Sequence, residues 1–440
     1  MNARRKFLTQ VSALTAGAAL SSSFGNNAFA ILKNKPSDQI NVGAIGIKGM
    51  GWADLRATLK MPGVKLTALC DVDKNVLDQR MGELEKLNID ARKVKTFGDH
   101  RKMLEMKNLD AVIIGTPDHW HCLQMAEACQ AGKDVYVEKP VGNSIEECRI
   151  MTAAQKKYGR VVQAGQWQRS QQHFQDAMDF IATGKLGNIR TVKTWCYAGK
   201  QDIAPPADSP VPAGVDYERW LGPAPMRPFN RNRFHYSFRW FWDYAGGLMT
   251  DWGVHLLDYA LLGMKADLPK TISAAGGNFG DASSPMETPD TLCALYEFEK
   301  FNLIWEHAIG VSKGLFNKHH GIAFIGNNGT LELDREGWEV IEEGGSQNKV
   351  AMERQKSVDD GLDKHTENFV NVIRSRKMEE LKCPIDAASH VATVCQMGNI
   401  ALRSGNKLYW DKATNKFSDA AVNAKYFAAP YHNGYVLPKV

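Results

Sequence analysis

The first break in the apolar pattern restricts the fold of this chain more than any other stretch. Ile40–Ile45 is a short apolar run that gives way to Gly46-Ile-Lys48-Gly49-Met50-Gly51, and a helical pattern follows from Trp52 to Lys60. A second apolar run, Val64–Cys70, ends on Asp71, twenty residues past Gly51. Strand, glycine turn, helix, strand and acid arrive in the order of a dinucleotide-binding unit. In that reading Gly46, Lys48, Gly49, Met50 and Gly51 bring backbone to a pyrophosphate at a helix N-terminus, where free N–H groups and the helix dipole favour anions. Asp71 would accept hydrogen bonds from the adenosine ribose diol, which favours NAD over its 2′-phosphorylated form. A strict Gly-x-Gly-x-x-Gly would place glycine where Lys48 stands. Either Gly49 supplies the close approach or Lys48 reaches a phosphate; a plain strand–helix turn is the structural alternative.

The alternation continues. Val94–Phe97 reads as a strand, His100–Met106 as a short helix and Ala111–Gly115 as the next strand, running into Thr116-Pro117-Asp-His119-Trp-His121 before a helix to Ala131. Val135–Val137 then ends on Glu138-Lys139-Pro140, an acid, a base and a helix-incompatible proline. Ser144-x-x-Glu147 is a capping-box start for the helix that follows. Val161–Ala164 is a sixth strand with Gln166-Trp-Gln168-Arg169 at its tip. Repeated strand–helix units of this length predict a parallel, doubly wound α/β sheet. A lysine at the tip of such a strand is placed for chemistry.

From about residue 171 the rhythm changes. One helix leads into Ile189–Tyr197, and later strand candidates follow without helices between them: Thr271–Ala275, Thr291–Phe298, Leu303–Ile309, Ile322–Ile325, Thr330–Leu333 and Trp338–Ile341. That predicts an α+β domain with a large open, mainly antiparallel sheet. At 440 residues, two domains are expected: a dinucleotide-binding domain over 31–165 and a second over 166–385, with a C-terminal helix and tail over 386–440. Between Tyr217 and Tyr259 aromatic rings interleave with arginines, including Arg233, Tyr236, Trp240 and Trp242. Apolar faces and fork-shaped donors suit a sugar; a loop packed over the sheet, with arginines stacked on tryptophans, fits equally well. Gln168 and Arg169 are further substrate candidates. Asp251 and His255 are four apart and would share a face of a helix starting near Thr250, the carboxylate favouring an imidazolium. A first-turn acid beside a satisfied core histidine is the alternative.

Residues 1–30 carry Arg4, Arg5 and Lys6, a modest apolar run from Val11 to Leu20, and Ala28-Phe29-Ala30. Together they resemble a twin-arginine export signal, which implies a periplasmic protein; an ordinary secretory signal or an uncleaved anchor is the alternative. Without that segment 51 basic residues face 49 acidic ones, and this near-neutrality argues against a nucleic-acid binder. No later stretch approaches the ~18 apolar residues of a membrane span. The eight cysteines have neither Cys-x-x-Cys nor framework spacing, and no metal-ligating constellation stands out.

Taken together, Gly46-x-x-Gly49-x-Gly51, Thr116-Pro-Asp-His-Trp-His121, Glu138-Lys139-Pro140, Trp220-Leu-Gly-Pro and Asp251-x-x-x-His255 resemble the glucose–fructose oxidoreductase/inositol dehydrogenase/MocA family, over about residues 41–411. The resemblance implies a Rossmann domain, and a C-terminal domain whose open sheet commonly mediates homo-oligomers. It implies a catalytic group of Lys139, Asp251 and His255. His255 would take a proton from a sugar hydroxyl, Lys139 would hold that hydroxyl, and Asp251 would position His255 or substrate. It places Glu138 and His121 at the nicotinamide end, and Thr116, Pro117, His119 and Gln166 join them as cofactor-side candidates at neighbouring strand ends. A periplasm offers no free NAD pool, so the cofactor is expected to stay bound and return to its starting state each cycle. Paired oxidation and reduction of carbohydrates would do that. So would glycosidic cleavage by oxidation, elimination, addition and reduction, without the usual two carboxylates. A non-catalytic sugar-binding protein on the same fold is the reading from another class.

Overall fold

The computed structural model describes residues 39–199, 207–281 and 283–440; the expected export signal lies outside them. Six short apolar runs become six parallel strands: β1 (Ile40–Ile45), β2 (Val64–Cys70), β3 (Lys95–Phe97), β4 (Ala111–Ile114), β5 (Asp134–Val137) and β6 (Val162–Ala164). Their spatial order is β3-β2-β1-β4-β5-β6. Alternate residues face opposite layers. Val42, Ala44, Leu66, Leu69, Ile113 and Tyr136 pack under one set of helices, including Met50–Thr58 and Gly361–Ser375. Ile45, Cys70, Val112, Ile114, Val135 and Val137 pack on the other side, toward helices Asp118–Gln130 and Ile145–Tyr158. Burial on both faces explains why these strands read as unbroken apolar runs. The strand order reverses between β1 and β4, which opens a crevice at their carboxyl ends.

Ser144 caps the helix Ile145–Tyr158 by accepting from the Glu147 N–H at 3.2 Å. Glu147 reaches back to the N–H of Asn143 at 2.6 Å, one residue earlier than a standard capping box would have it.

The second half forms a ten-stranded sheet: β7 (Thr191–Ala198), β8 (Thr271–Gly277), β9 (Thr291–Glu297), β10 (Asn302–Ile309), β11 (His320–Ile325), β12 (Gly329–Asp334), β13 (Gly337–Glu342), β14 (Met352–Lys356), β15 (Leu408–Asp411) and β16 (Lys416–Phe417). The order is β14-β13-β12-β11-β7-β10-β9-β8-β15-β16, with β7 and β10 parallel and the other pairs antiparallel. In β9, Leu292, Ala294 and Tyr296 are buried while Cys293 and Leu295 face outward, as expected of a sheet covered on one side. The covering layer includes Gly253–Met264 and Ile385–Ser404. The latter helix also lies against Ile145–Tyr158 of the first sheet's layer, so the two halves share one apolar core. All eight cysteines are free, seven of them buried, which leaves them as small hydrophobes rather than cross-links. Among the described residues no helix is long and apolar enough to cross a membrane.

Candidate active site and dinucleotide cleft

The turn after β1 is built for close backbone approach. Gly46 has φ +75°, and a Cβ there would meet the Thr116 nitrogen at 2.7 Å. A Cβ on Gly51 would strike the Gly46 carbonyl, and one on Gly115 would strike the Gly51 Cα. Gly49, by contrast, would meet nothing within 4 Å and so opens outward. The helix Met50–Thr58 that it precedes has no side-chain cap and no acid in its first turn, so its N-terminal charge is unneutralised. Asp71, at the end of β2, accepts from the Ile47 N–H at 2.9 Å and the Asp73 N–H at 3.0 Å. A carboxylate has about four acceptor positions, which leaves room for a ribose diol. A cavity of about 560 Å³ adjoins it, lined by Val72, Leu77, Thr96, Phe97 and the Gly214–Asp216 segment among others. Open turn, uncapped helix, acid and a slot of mixed polar and apolar lining fit a dinucleotide. Lys48 is exposed at this end and acts electrostatically on Asp71.

At the tip of β5, Lys139 reaches across to the second half of the chain. The helix Gly247–Asp251 ends at Trp252 and a new helix, Gly253–Met264, begins. The His255 N–H donates to the Trp252 carbonyl rather than to that of Asp251. The freed Asp251 carbonyl accepts from Lys139 Nζ at 3.0 Å, and the Asp251 carboxylate accepts from the same nitrogen at 2.7 Å. Arg239 Nε stands 3.4 Å from the other carboxylate oxygen. Burial alone would lift the Asp251 carboxyl, but Lys139, then Arg239, outweigh it and hold the group at about 2.

His255 is 5% exposed, and its Nδ1 has no partner in the chain. Burial, then the charges of Lys139 and Arg335, push it well below the usual 6.5. The expected imidazolium is therefore corrected to a neutral imidazole. The Asp251 carboxylate that was to favour a proton there is turned to Lys139, because the helix breaks between the two residues. Asp118, also electrostatically linked to Lys139, Arg239 and Asp251, is raised by burial to about 8.

Beneath Lys139, burial raises Glu138 to about 7. Asp54 is fully buried and is raised well above its usual range by burial and then by the charge of Glu138. Two buried carboxyls so placed titrate as a pair, and their mutual repulsion disfavours ionising both.

Several side chains expected to contact ligands also have partners within the chain. Arg169 makes a two-pronged pair with Asp258 at 2.8 and 2.5 Å, and Asp258 is only 2% exposed. Arg233 is taken by Asp208 at 3.1 Å and the Pro228 carbonyl at 2.7 Å. Trp240 is 3% exposed in the core, and Trp242 is stacked under Arg403. His119 faces the Trp220 carbonyl at 3.2 Å. The ring nitrogens of His121 face the carbonyls of Pro140 and Thr116 at 2.8 and 2.7 Å, and burial pushes the ring down to about 4, so the neutral imidazole donates to one of the two. Gln166 donates to Val254 and accepts from Cys383, while the Thr116 hydroxyl donates to Gln124 and Pro117 precedes the helix Asp118–Gln130. Tyr236 remains 67% exposed beneath Arg239, and buried Gln168 meets Arg335 at 3.3 Å. Of the aromatic stretch as a whole, the packed-loop reading accounts for Trp220, Phe234, Trp240, Phe241 and Tyr244, all buried.

The structure adds residues that the sequence did not single out. Arg335 is at the tip of the two-residue turn between β12 and β13, with its guanidinium 4.8 Å from the Trp167 ring and 4.5 Å from the Trp252 ring. Both rings approach His255, at 6.4 and 6.1 Å. Arg239 lay inside the aromatic stretch and could have been found there. Arg335 occupies what reads as an ordinary hairpin turn.

Residues 40–166 match the profile described as oxidoreductase family, NAD-binding Rossmann fold. Residues 189–284 match that described as oxidoreductase family, C-terminal alpha/beta domain. A glycosyl hydrolase family 109 protein of Shewanella baltica is 32% identical over 161 residues, covering 33% of this chain and 35% of that one. An alpha-N-acetylgalactosaminidase of Shewanella oneidensis is 29% identical over 169 residues, covering 35% and 37%. The chain thus spans about a third of the length of these curated relatives. An aldose–aldose oxidoreductase from Caulobacter crescentus, solved with glycerol, superposes with TM-score 0.65 at 19% identity, over 84% of this chain and 99% of that one. A levoglucosan dehydrogenase in complex with NADH and L-sorbose gives TM-score 0.64 at 16% identity, over 86% and 100%. At that identity these two share the fold. Sequence profiles across both halves, on a Rossmann sheet joined to a large open one, place the chain in the Gfo/Idh/MocA oxidoreductase family.

Proposed function

We propose that this protein is an exported oxidoreductase acting on a ring carbinol of a sugar or glycoside, with NAD retained and restored in each cycle. The observation that carries the proposal is Lys139, anchored twice by Asp251, beside a neutral His255 with an unpaired ring nitrogen. When bound, the nicotinamide supplies a hydride acceptor for the carbinol carbon. Lys139 has three N–H donors, two of which go to Asp251; the third is free for a substrate oxygen. Neutral His255 takes the hydroxyl proton, a task open to an imidazole and closed to an imidazolium. Lys139 then stabilises the negative charge that develops on that oxygen, and Asp251 fixes the lysine's position. The Glu138–Asp54 pair sets the backbone that carries Lys139 into a rigid, water-excluded floor. The acid at Asp71 favours NAD, with exposed Lys48 as the residue through which a 2′-phosphate would be met.

Glycosidic cleavage is a second reading, favoured by the names of the curated relatives over the third of the chain they match. It would use His255 again, to remove the proton next to the newly formed ketone before the glycosidic bond breaks. One experiment separates the readings. The purified protein is examined by mass spectrometry for bound nicotinamide, then incubated with glycosides and free sugars without added cofactor. Paired lactone and alditol mean coupled oxidation and reduction; released aglycone means cleavage. Absence of bound nicotinamide refutes cofactor retention, and sugar binding with neither product type leaves a non-catalytic binder.

A further inference from the structure

The charge around the site is lopsided. Lys139, Arg239 and Arg335 act on a single ionised carboxylate, Asp251, which Lys139 and Arg239 already hold at 2.7 and 3.4 Å. Arg335 is left over. Its hydrogen-bond partner among the described residues is the Gln168 side-chain amide oxygen, at a long 3.3 Å. Its Nε, like those of Arg233 and Arg239, is sealed from water with no hydrogen-bond acceptor, but unlike those two arginines Arg335 pairs with no carboxylate among the described residues. The acids nearest along the chain are spoken for: Asp334 pairs with Lys318 and Arg354, and Glu336 is exposed. The more deeply buried Arg169, by contrast, has the Asp258 carboxylate to itself.

Arg403 is a useful contrast. It too stacks on two rings, Trp242 and Tyr426, but it is exposed, so water solvates its guanidinium. Arg335, stacked in the same way but partly withdrawn from water, has neither that solvation nor a paired carboxylate among the described residues. A cation taken out of water without a counter-charge is costly, and a planar fork between two tryptophans is shaped for a two-pronged carboxylate.

We infer that the sugar taken by this site carries a carboxylate, as a uronic acid does, and that Arg335 receives it while Lys139 and His255 work on a hydroxyl of the same ring. This rests on the sugar-oxidoreductase reading for its ring hydroxyl, but not for its carboxylate, and the two can fail separately. Calorimetric titration of the cofactor-loaded protein would compare methyl glucosides with methyl glucuronides, and methyl galactosides with methyl galacturonides. A 6-sulfated methyl glucoside serves as the other acidic arm. In at least one series the uronide should bind about tenfold or more tightly than its neutral partner. Arg335→Gln should reduce that preference to within about threefold, and Arg335→Lys, which keeps charge but loses the fork, should fall between. Arg403→Gln should leave it intact.

If no uronide exceeds its neutral partner, if the sulfated sugar outcompetes the uronides, or if the preference survives Arg335→Gln in a folded variant, the inference is overturned. Absorbance of the bound nicotinamide is the separate readout. Arg335-dependent uronide binding with no change in that absorbance would uphold acid recognition and sink the redox reading. Oxidation of neutral sugars alone would do the reverse.

Discussion

Replacing Lys139 by Met tests the pair on which the proposed chemistry depends. Asp251 is displaced from 3.8 to about 2, roughly two pK units, which corresponds to about 2–3 kcal/mol favouring its ionised form in the fold. Lys139 is the foremost of the charges responsible, with Arg239 and Arg335 left behind in the variant. With the Asp251 side chain 19% exposed, the loss attributable to Lys139 is about 1–2 kcal/mol near pH 7. The sign follows from the depressed value. This stabilisation is present above the ordinary carboxyl pKa of 3.8 and disappears as pH falls through about 2, so the gap between native and variant unfolding midpoints should close in acid. The effect on turnover should be larger, because a charge-assisted donor to a developing alkoxide is lost: about 10²–10³ in kcat. A third signature concerns His255, which Lys139 helps to keep neutral. Removing that charge lets the imidazole hold its proton to higher pH, so the acid limb of kcat/KM should move upward. Rapid-mixing measurements of nicotinamide reduction in the cofactor-loaded protein, over a pH series, read the last two effects. A kcat within about threefold of native, or an acid limb that stays put or moves down, would refute the assignment of Lys139 and His255.

Glu138→Gln imitates the protonated form of an acid raised from 4.5 to about 7. A raised carboxyl stabilises most below its unfolded pKa and loses that contribution as pH climbs through the folded one, so the variant's unfolding midpoint should gain on the native one between pH 5 and pH 8. Gly115→Ala and Gly49→Ala should part company. The first puts a Cβ into Gly51, so the protein should lose its nicotinamide and some stability; the second meets nothing in the chain, so it should fold normally while retaining less cofactor, as read by mass spectrometry. Arg169→Met strands the buried Asp258 carboxylate and should cost about 3–5 kcal/mol in denaturant unfolding. A loss of sugar affinity without that destabilisation would return Arg169 to the substrate site.

What could be read from sequence, and what could not, follows the range of the interactions involved. Strand and helix periodicity is local, so β1 to β6 and the interior strands of the larger sheet were legible to within a few residues. The edge strands β14 and β16, and β15 beside the latter, were missed, because strands of two to five residues carry little alternation. The Lys139–Asp251 contact spans 112 residues and was reached through the family pattern, since nothing local to either residue foretells it. The helix break at Trp252 defeated the four-residue spacing argument, and with it the expected imidazolium. Composition failed in the aromatic stretch for a related reason: a tryptophan that fills a core and one that lines a site are the same residue until burial separates them. Trp240 went to the core, whereas Trp252 of the same stretch, with Trp167 from the tip of β6, flanks the guanidinium beside His255. Arg335 carries the sharpest form of the point. Its neighbours in sequence announce a hairpin turn, and its significance lies in a charge balance drawn from β5, the broken helix and that hairpin together. A substrate carboxylate would complete the balance, which makes the preference between a uronide and its neutral partner the measurement that bears most directly on what this site evolved to hold.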